Sequence, residues 1–136
     1  MRVVPVEAEL AWAAGLFVGE GNVGRTYAHK PNRSYEYLHI QLGMRDQRSV
    51  SRFARVFGFS CRPIFLKKRG YDFFKVQVRG RNAERALALM WPYIEGTDKG
   101  DQTLRYASRL GLEDWITGEK TGNRPQLNLT KRGRKA

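Results

Sequence analysis

An acid stands between two glycines at the end of an apolar, helix-forming stretch: "LAWAAGLFVGEG", Leu10 to Gly21, with Glu20 flanked by Gly19 and Gly21. A helix C-terminus already carries partial negative charge, so a carboxylate there is disfavoured unless something positive meets it. Ala11, Gly15 and Gly19 recur at every fourth position and make a ridge of small residues along which a second helix can approach closely. Trp12, Leu16 and Phe17 add bulk on either side. If the helix packs against its own copy in a second subunit, the two Glu20 carboxylates meet near the two-fold axis. They repel there unless protonated or bridged by cations. A divalent ion such as Mg2+ takes oxygen ligands and can also bind phosphate oxygens. The glycines beside Glu20 remove side chains that would hold a nucleic-acid backbone away. Acid, metal and phosphate can converge at this point. A core helix with an acid exposed at its end accounts for the same residues, and that plainer reading stays open here.

Charge says what the partner is. The 136 residues carry 25 Lys+Arg against 13 Asp+Glu, a net +12 with a pI near 10.3. Such a balance calls for a polyanion, and nucleic acid is favoured over an anionic membrane surface. No apolar run is long enough to span a bilayer, and the first residues lack a basic-then-apolar leader pattern. The expected location is cytoplasmic or organellar, without secretion. A lone Cys61 excludes an internal disulfide and a cysteine metal cluster. His29 and His39 lack the spacing of a zinc site.

The elements that must position Glu20 follow from periodicity. A first helix runs from Val6 to Gly19, and "NVGRTYAHK" reads as a strand, turned at "PNRS". In "YEYLHIQLGM", Leu38, Ile40, Leu42 and Met44 alternate with Tyr37, His39 and Gln41, a strand with one apolar and one polar face. Asp46 stands as an N-cap before a helix on which Val50, Phe53, Ala54 and Phe57 make one face, Arg48, Arg52 and Arg55 the other, and Gly58 the end. A second hairpin joins "CRPIFLKKR" to "YDFFKVQVRG"; Phe74, Val76 and Val78 take one side, Phe73, Lys75, Gln77 and Arg79 the other. A helix disturbed by Pro92 starts near Asn82, and another runs through "DQTLRYASRL". The expectation is an α+β fold in the order α-β-β-α-β-β-α-α: a four-stranded antiparallel sheet with helices on one face. Residues 1–115 form one domain, and 116–136 a basic, flexible tail. The open polar sheet face suits a β-ribbon lying in a DNA major groove.

"AAGLFVGEG" resembles the motif of the LAGLIDADG homing endonucleases, in which a small-residue helix ends in Gly-(Asp/Glu)-Gly. The element order from Val6 to about Arg109 is similar to that family's fold, and a single motif in a short chain is similar to its homodimeric branch. The resemblance implies a saddle-like sheet and a homodimer that binds a long pseudo-palindromic double-stranded DNA site. It implies hydrolysis of one phosphodiester per strand with Mg2+, Mn2+ substituting and Ca2+ binding without cleavage, in the service of intron or intein mobility. It places Glu20 on the family's catalytic, metal-binding acid, with Gly19 beside it at the metal site, and Ala14 and Gly15 on the Ala-Gly of the motif. Val18 departs from the family pattern, which often has Asp there, at a position that is not the metal ligand. Asp46 falls near a polar residue that positions water, and Lys99 resembles a basic catalytic residue, with the spacing one residue longer. Gln102 is a weaker neighbour. A helix cap and a solvated lysine are the competing roles of Asp46 and Lys99. The dimer seam would run along Ala11, Trp12, Gly15, Leu16 and Gly19. Base reading falls to Thr26, Asn32, Tyr37, His39, Gln41, Arg62, Lys75, Gln77 and Arg79, and phosphate contacts to Arg25, Lys30, Arg33, Lys67, Lys68, Arg69 and the tail. A non-cleaving DNA-binding regulator or an intron-splicing RNA-binding protein of the same fold is the alternative.

Overall fold

Pro5 and Val6 lead into α1 (Glu7–Glu20), which ends without a basic residue in its last turn. The structure is a computed structural model and describes residues 5–31, 33–59, 64–68 and 70–118. Ala13, Ala14 and Phe17 form the buried face of α1. The chain passes directly from Glu20 into β1 (Gly21–Lys30), which pairs antiparallel with β2 (Arg33–Met44) from Gly21↔Leu42 to Lys30↔Arg33. At about 3.4 Å per residue this hairpin is roughly 30 Å long. Asp46 caps α2 (Gln47–Phe57), and Gly58 ends it in the left-handed conformation at φ 70°. β3 (Ile64–Lys68) and β4 (Tyr71–Arg79) form the second hairpin, followed by α3 (Arg81–Ile94) and α4 (Asp98–Arg109).

β4 docks on β2, with His39↔Arg79 and Met44↔Phe74 at the two ends of the ladder, so the sheet order is β1-β2-β4-β3. Alternation then sorts the side chains. Val23, Leu38, Ile40, Leu42, Val76 and Val78 are buried on one face together with the helices' apolar stripes, in one continuous core. Phe17 stacks on Phe53, ring centroids 6.1 Å apart, and Phe53 meets Phe57 edge-on at 5.2 Å, which fastens α1 to α2. Replacing Phe17 by Ala is expected to cost about 3–5 kcal/mol, read as a lowered urea midpoint at unchanged slope.

Three local expectations differ from the fold. α3 runs through Pro92 to Ile94, because Pro92 is exposed near the helix end while buried Trp91 and Ile94 hold the last turn in the core. α4 starts at Asp98, earlier than periodicity indicates, because Thr97 caps it: its Oγ1 accepts the Gly100 N–H at 3.1 Å. A short fifth helix, α5 (Glu113–Thr117), places Ile116 in the core, so the boundary expected after residue 115 falls inside a packed element. Among the described residues no helix is long and apolar enough to cross a membrane.

Candidate active site and nucleic-acid interface

Between Leu10 and Gly19 α1 is apolar all round, yet one side of it is left open. A helix of that kind is normally buried on every side. Gly15 and Gly19 are exposed, and a Cβ added at either would meet nothing within 4 Å. Ala11 is half-buried, and Glu20, exposed, ends this ridge. The other two residues assigned to the seam are partly used within the protomer. Leu16 packs against the core, and Trp12 lies beneath Arg52, whose guanidinium sits 3.9 Å from its ring centroid. Arg52 is held there by Glu9, through Nε at 2.9 Å and Nη2 at 2.5 Å. That pairing keeps the Glu9 carboxyl below its usual range and takes Arg52 out of the open basic face expected of α2.

The glycines flanking Glu20 have different reasons to be glycine. A Cβ on Gly21 would fall 2.2 Å from Cδ1 of the fully buried Phe17. Gly21 therefore makes room for a core ring, whereas Gly19 borders open space. Gly21→Ala is expected to lower stability by about 1–3 kcal/mol, measured by urea unfolding; an unchanged midpoint would contradict the packing account.

Lys99 reaches this end of α1. It sits half-buried in the first turn of α4 and donates from Nζ to the Val18 carbonyl at 3.4 Å, two residues before Glu20. Its placement depends on a clamp that sequence patterns did not reveal. Thr97 Oγ1 donates to the Ile94 carbonyl at 2.6 Å, and a Cβ on buried Gly100 would lie 2.2 Å from that same oxygen. Gly96, in the turn between α3 and α4, adopts φ 85°. Gln102 follows in α4, half-buried.

Asp46 lies at the same end of the sheet, four residues past Leu42, the partner of Gly21. Its carboxylate is engaged: it accepts from Ser49 Oγ at 2.8 Å and from the Arg48 N–H at 3.1 Å. The Ser49 hydroxyl first, then the backbone N–H groups of Arg48 and Ser49, hold the carboxyl below its usual range. The capping role is thus the one the geometry displays. Asp46→Asn keeps an acceptor at the cap and is expected to leave thermal stability and DNA cleavage near the parent's. Lost cleavage at retained stability would instead give Asp46 the water-positioning role.

The sheet face away from the helices carries the residues assigned to base reading, in one grid. Thr26 stands opposite Tyr37, His39 between Gly24 and Arg79, Gln41 between Asn22 and Gln77, and Lys75 beside Gly43. Arg79 Nη1 donates to the Tyr37 hydroxyl at 3.4 Å. Phe73 lies on this polar face, as its parity requires, because Gly43 leaves space for its ring; a Cβ there would be 2.6 Å away. Thr26 Oγ1 and His39 Nδ1 share a hydrogen bond of 2.8 Å. Of the phosphate-contact residues, Lys30 and Arg33 pair at the hairpin end and Lys67 stands in register with Asp72. Arg25 is turned the other way. Odd positions of β1 face the helix side, where Arg25 forms an ion pair with Glu36 beside Tyr27 and Arg109 around a polar cavity of about 570 Å³. The guanidinium expected to contact phosphate is thus engaged by Glu36, on the helix side of the sheet. Asn32, Arg62, Arg69 and the basic tail lie outside the described residues.

Among the described residues no three His, Cys, Asp or Glu side chains converge. The carboxylate that stands at the end of α1 is that of Glu20. Carboxylate oxygens are hard ligands of the kind a divalent cation takes.

No protein-family model matches the chain, and no curated relative matches it. Solved structures do. The archaeal intron-encoded homing endonuclease I-Vdi141I, complexed with DNA, superposes with a TM-score of 0.57 at 13% identity, over 90% of this chain and 92% of that one. The homing endonuclease I-TnaI gives 0.55 at 15% identity over 90% and 92%. The LAGLIDADG homing endonuclease I-LtrWI, bound to target DNA, gives 0.54 at 15% identity over 93% of this chain. The chain has the LAGLIDADG homing-endonuclease fold. It spans 49% of I-LtrWI and nearly all of I-TnaI. I-CvuI, at a TM-score of 0.53, has been solved with DNA in the presence of 2 mM Mg and of 2 mM Ca. In the LAGLIDADG fold of this chain, "AAGLFVGEG" is the end of α1 and the first residue of β1.

Proposed function

We propose that the chain is a homodimeric, metal-dependent DNA endonuclease that recognises a long pseudo-palindromic duplex site and cuts each strand once. The observation that carries this reading is the uncovered small-residue ridge of α1, Ala11–Gly15–Gly19, which ends in an exposed Glu20. Two copies packed along that ridge bury the apolar face that each leaves open and bring the two Glu20 carboxylates together at the axis. The two sheets then continue one another as a saddle-like surface for the duplex, and the net charge of +12 supplies the attraction.

Glu20, with Gly19 beside it, would hold Mg2+ or Mn2+ between the copies, while Ca2+ would occupy the site without supporting cleavage. When bound, the ion activates water and stabilises the leaving 3′ oxygen. The protein's own groups do the rest. Gly19 lets the phosphate come close, and the Lys99 ammonium stands two residues from Glu20 to offset charge building on the phosphoryl oxygens. Tyr37, His39, Gln41, Lys75, Gln77 and Arg79 read base edges, and Lys30, Arg33, Lys67, Arg69 and the tail hold phosphates.

Selection from a random duplex pool in Ca2+ tests this reading. The expected winners share one long pseudo-palindrome, bind two chains per duplex by native mass, and lose affinity steeply as salt rises. Binding that selects no sequence, or one chain per duplex, would sink it.

A further inference from the structure

Among the described residues His39 is the imidazole of the reading face, and its surroundings are built rather than incidental. Its ring lies across Gly24 on the neighbouring strand. A Cβ on Gly24 would fall 2.8 Å from both Cε1 and Nε2, so any other residue there would expel the imidazole. Thr26, two positions along the same strand, fixes Nδ1 at 2.8 Å. On the other side Arg79 is in register with His39, and the Tyr37 hydroxyl accepts from Arg79. The groups facing the ring are therefore Thr26 from β1, Tyr37 from β2, and Arg79 and Lys75 from β4. None of these is an acid. Half-burial first, then the positive charges of Arg79 and Lys75, push the imidazole below its ordinary value.

Resting on the function proposed above, we infer that Thr26 and His39 act together as a proton-switched base reader, favouring adenine when the imidazole is neutral and guanine when it is charged. The chemistry is a matter of donors and acceptors. A neutral imidazole has one N–H and one bare nitrogen, and the Thr26 hydroxyl can donate to or accept from Nδ1. The pair then offers one donor and one acceptor, which match the N7 acceptor and N6 donor of adenine. Protonation makes both ring nitrogens donors and obliges Thr26 to accept from Nδ1. The pair then turns two hydrogens outward, Nε2–H and the Thr26 O–H, which match the O6 and N7 acceptors of guanine, and the imidazole no longer offers the acceptor that the adenine N6 amino group would meet. A bound duplex adds negative charge above the face, so proton uptake in the complex occurs at higher pH than in the free protein.

The test is selection from a random duplex pool at about pH 5 and about pH 8, with single-base-pair substitutions of the winning site then titrated at both. The expected result is a guanine-over-adenine preference that rises about tenfold on acidification at one base pair and its symmetry mate, and nowhere else. His39→Gln, which keeps a donor and an acceptor but does not titrate, is expected to hold the neutral preference at both pH values. Gly24→Ala displaces the ring and is expected to remove the shift while leaving specificity at other positions. Its fold can be checked by the His39 resonance, whose titration should move back toward the ordinary histidine value. Specific binding with no pH-dependent change of base, or tighter binding at low pH spread equally over all sequences, overturns the switch and leaves the proposed function standing. Failure to select any sequence at either pH overturns both.

Discussion

Glu20→Gln will bind the selected duplex as tightly as the parent and cut it at least about a hundredfold more slowly. The substitution preserves size and hydrogen bonding but removes the charge, and charge is what the position contributes. Glu20 is exposed and ends a helix with no basic residue in its last turn. Removing a carboxylate from the negative end of a helix is expected to leave thermal stability unchanged or slightly raised. Lower activity with lower stability would be ambiguous. Lost cleavage with retained stability and retained binding assigns the carboxylate to the chemical step. The assay is a strand-resolved cleavage time course in Mg2+ on one selected duplex, with binding measured separately in Ca2+. Cleavage at the parent's rate would remove Glu20 from the mechanism.

Gly15→Leu is the second large effect, and it acts through assembly. Nothing in the protomer lies within 4 Å of a Cβ at Gly15, so the isolated chain can take the larger residue and gains up to about 1 kcal/mol of helix propensity. Two α1 helices packed ridge to ridge have no such room, because close approach depends on small residues at the contact. The variant is expected to be monomeric at concentrations where the parent is dimeric, to melt at the same temperature or higher when both are monomers, and to cut no DNA. Sedimentation velocity with and without duplex reads the assembly directly. A Gly15→Leu protein that remains dimeric places the seam elsewhere.

Much of this architecture was legible because the two hydrophobic periods are clean where they occur. Leu38, Ile40 and Leu42 in β2 and Val76 and Val78 in β4 mark the core face without ambiguity, and the polar residues between them mark the reading face. The same parity puts Phe73 on the polar side, and the structure shows why it fits there: its ring lies over Gly43 on the neighbouring strand, which has no side chain. What stayed hidden depends on contacts between distant residues. Gly21 looked like a clearance glycine beside an acid, but it answers to Phe17 in the core. Arg52 looked like part of a solvated basic face, but Glu9 and Trp12, some forty residues earlier, hold it against α1. Gly100 carries no local signal, since only the docking of α4 on the end of α3 makes it necessary. α5 is too short to show a period, and Ile116 declares itself only by being buried.

The site divides in the same way. The placement of Glu20 at a helix end follows from the order of residues. That Lys99 comes to the Val18 carbonyl depends on the turn after α3, which no spacing rule anticipates.

The measurement that bears most directly on the whole account is the position of strand breaks in a selected duplex treated with the purified chain in Mg2+. One break per strand, placed symmetrically about the centre of the pseudo-palindrome and abolished by chelation, is the result expected of two copies that meet at α1 and present Glu20 at the axis. A duplex that is bound specifically yet stays intact in Mg2+, or breaks scattered without relation to that centre, would contradict it.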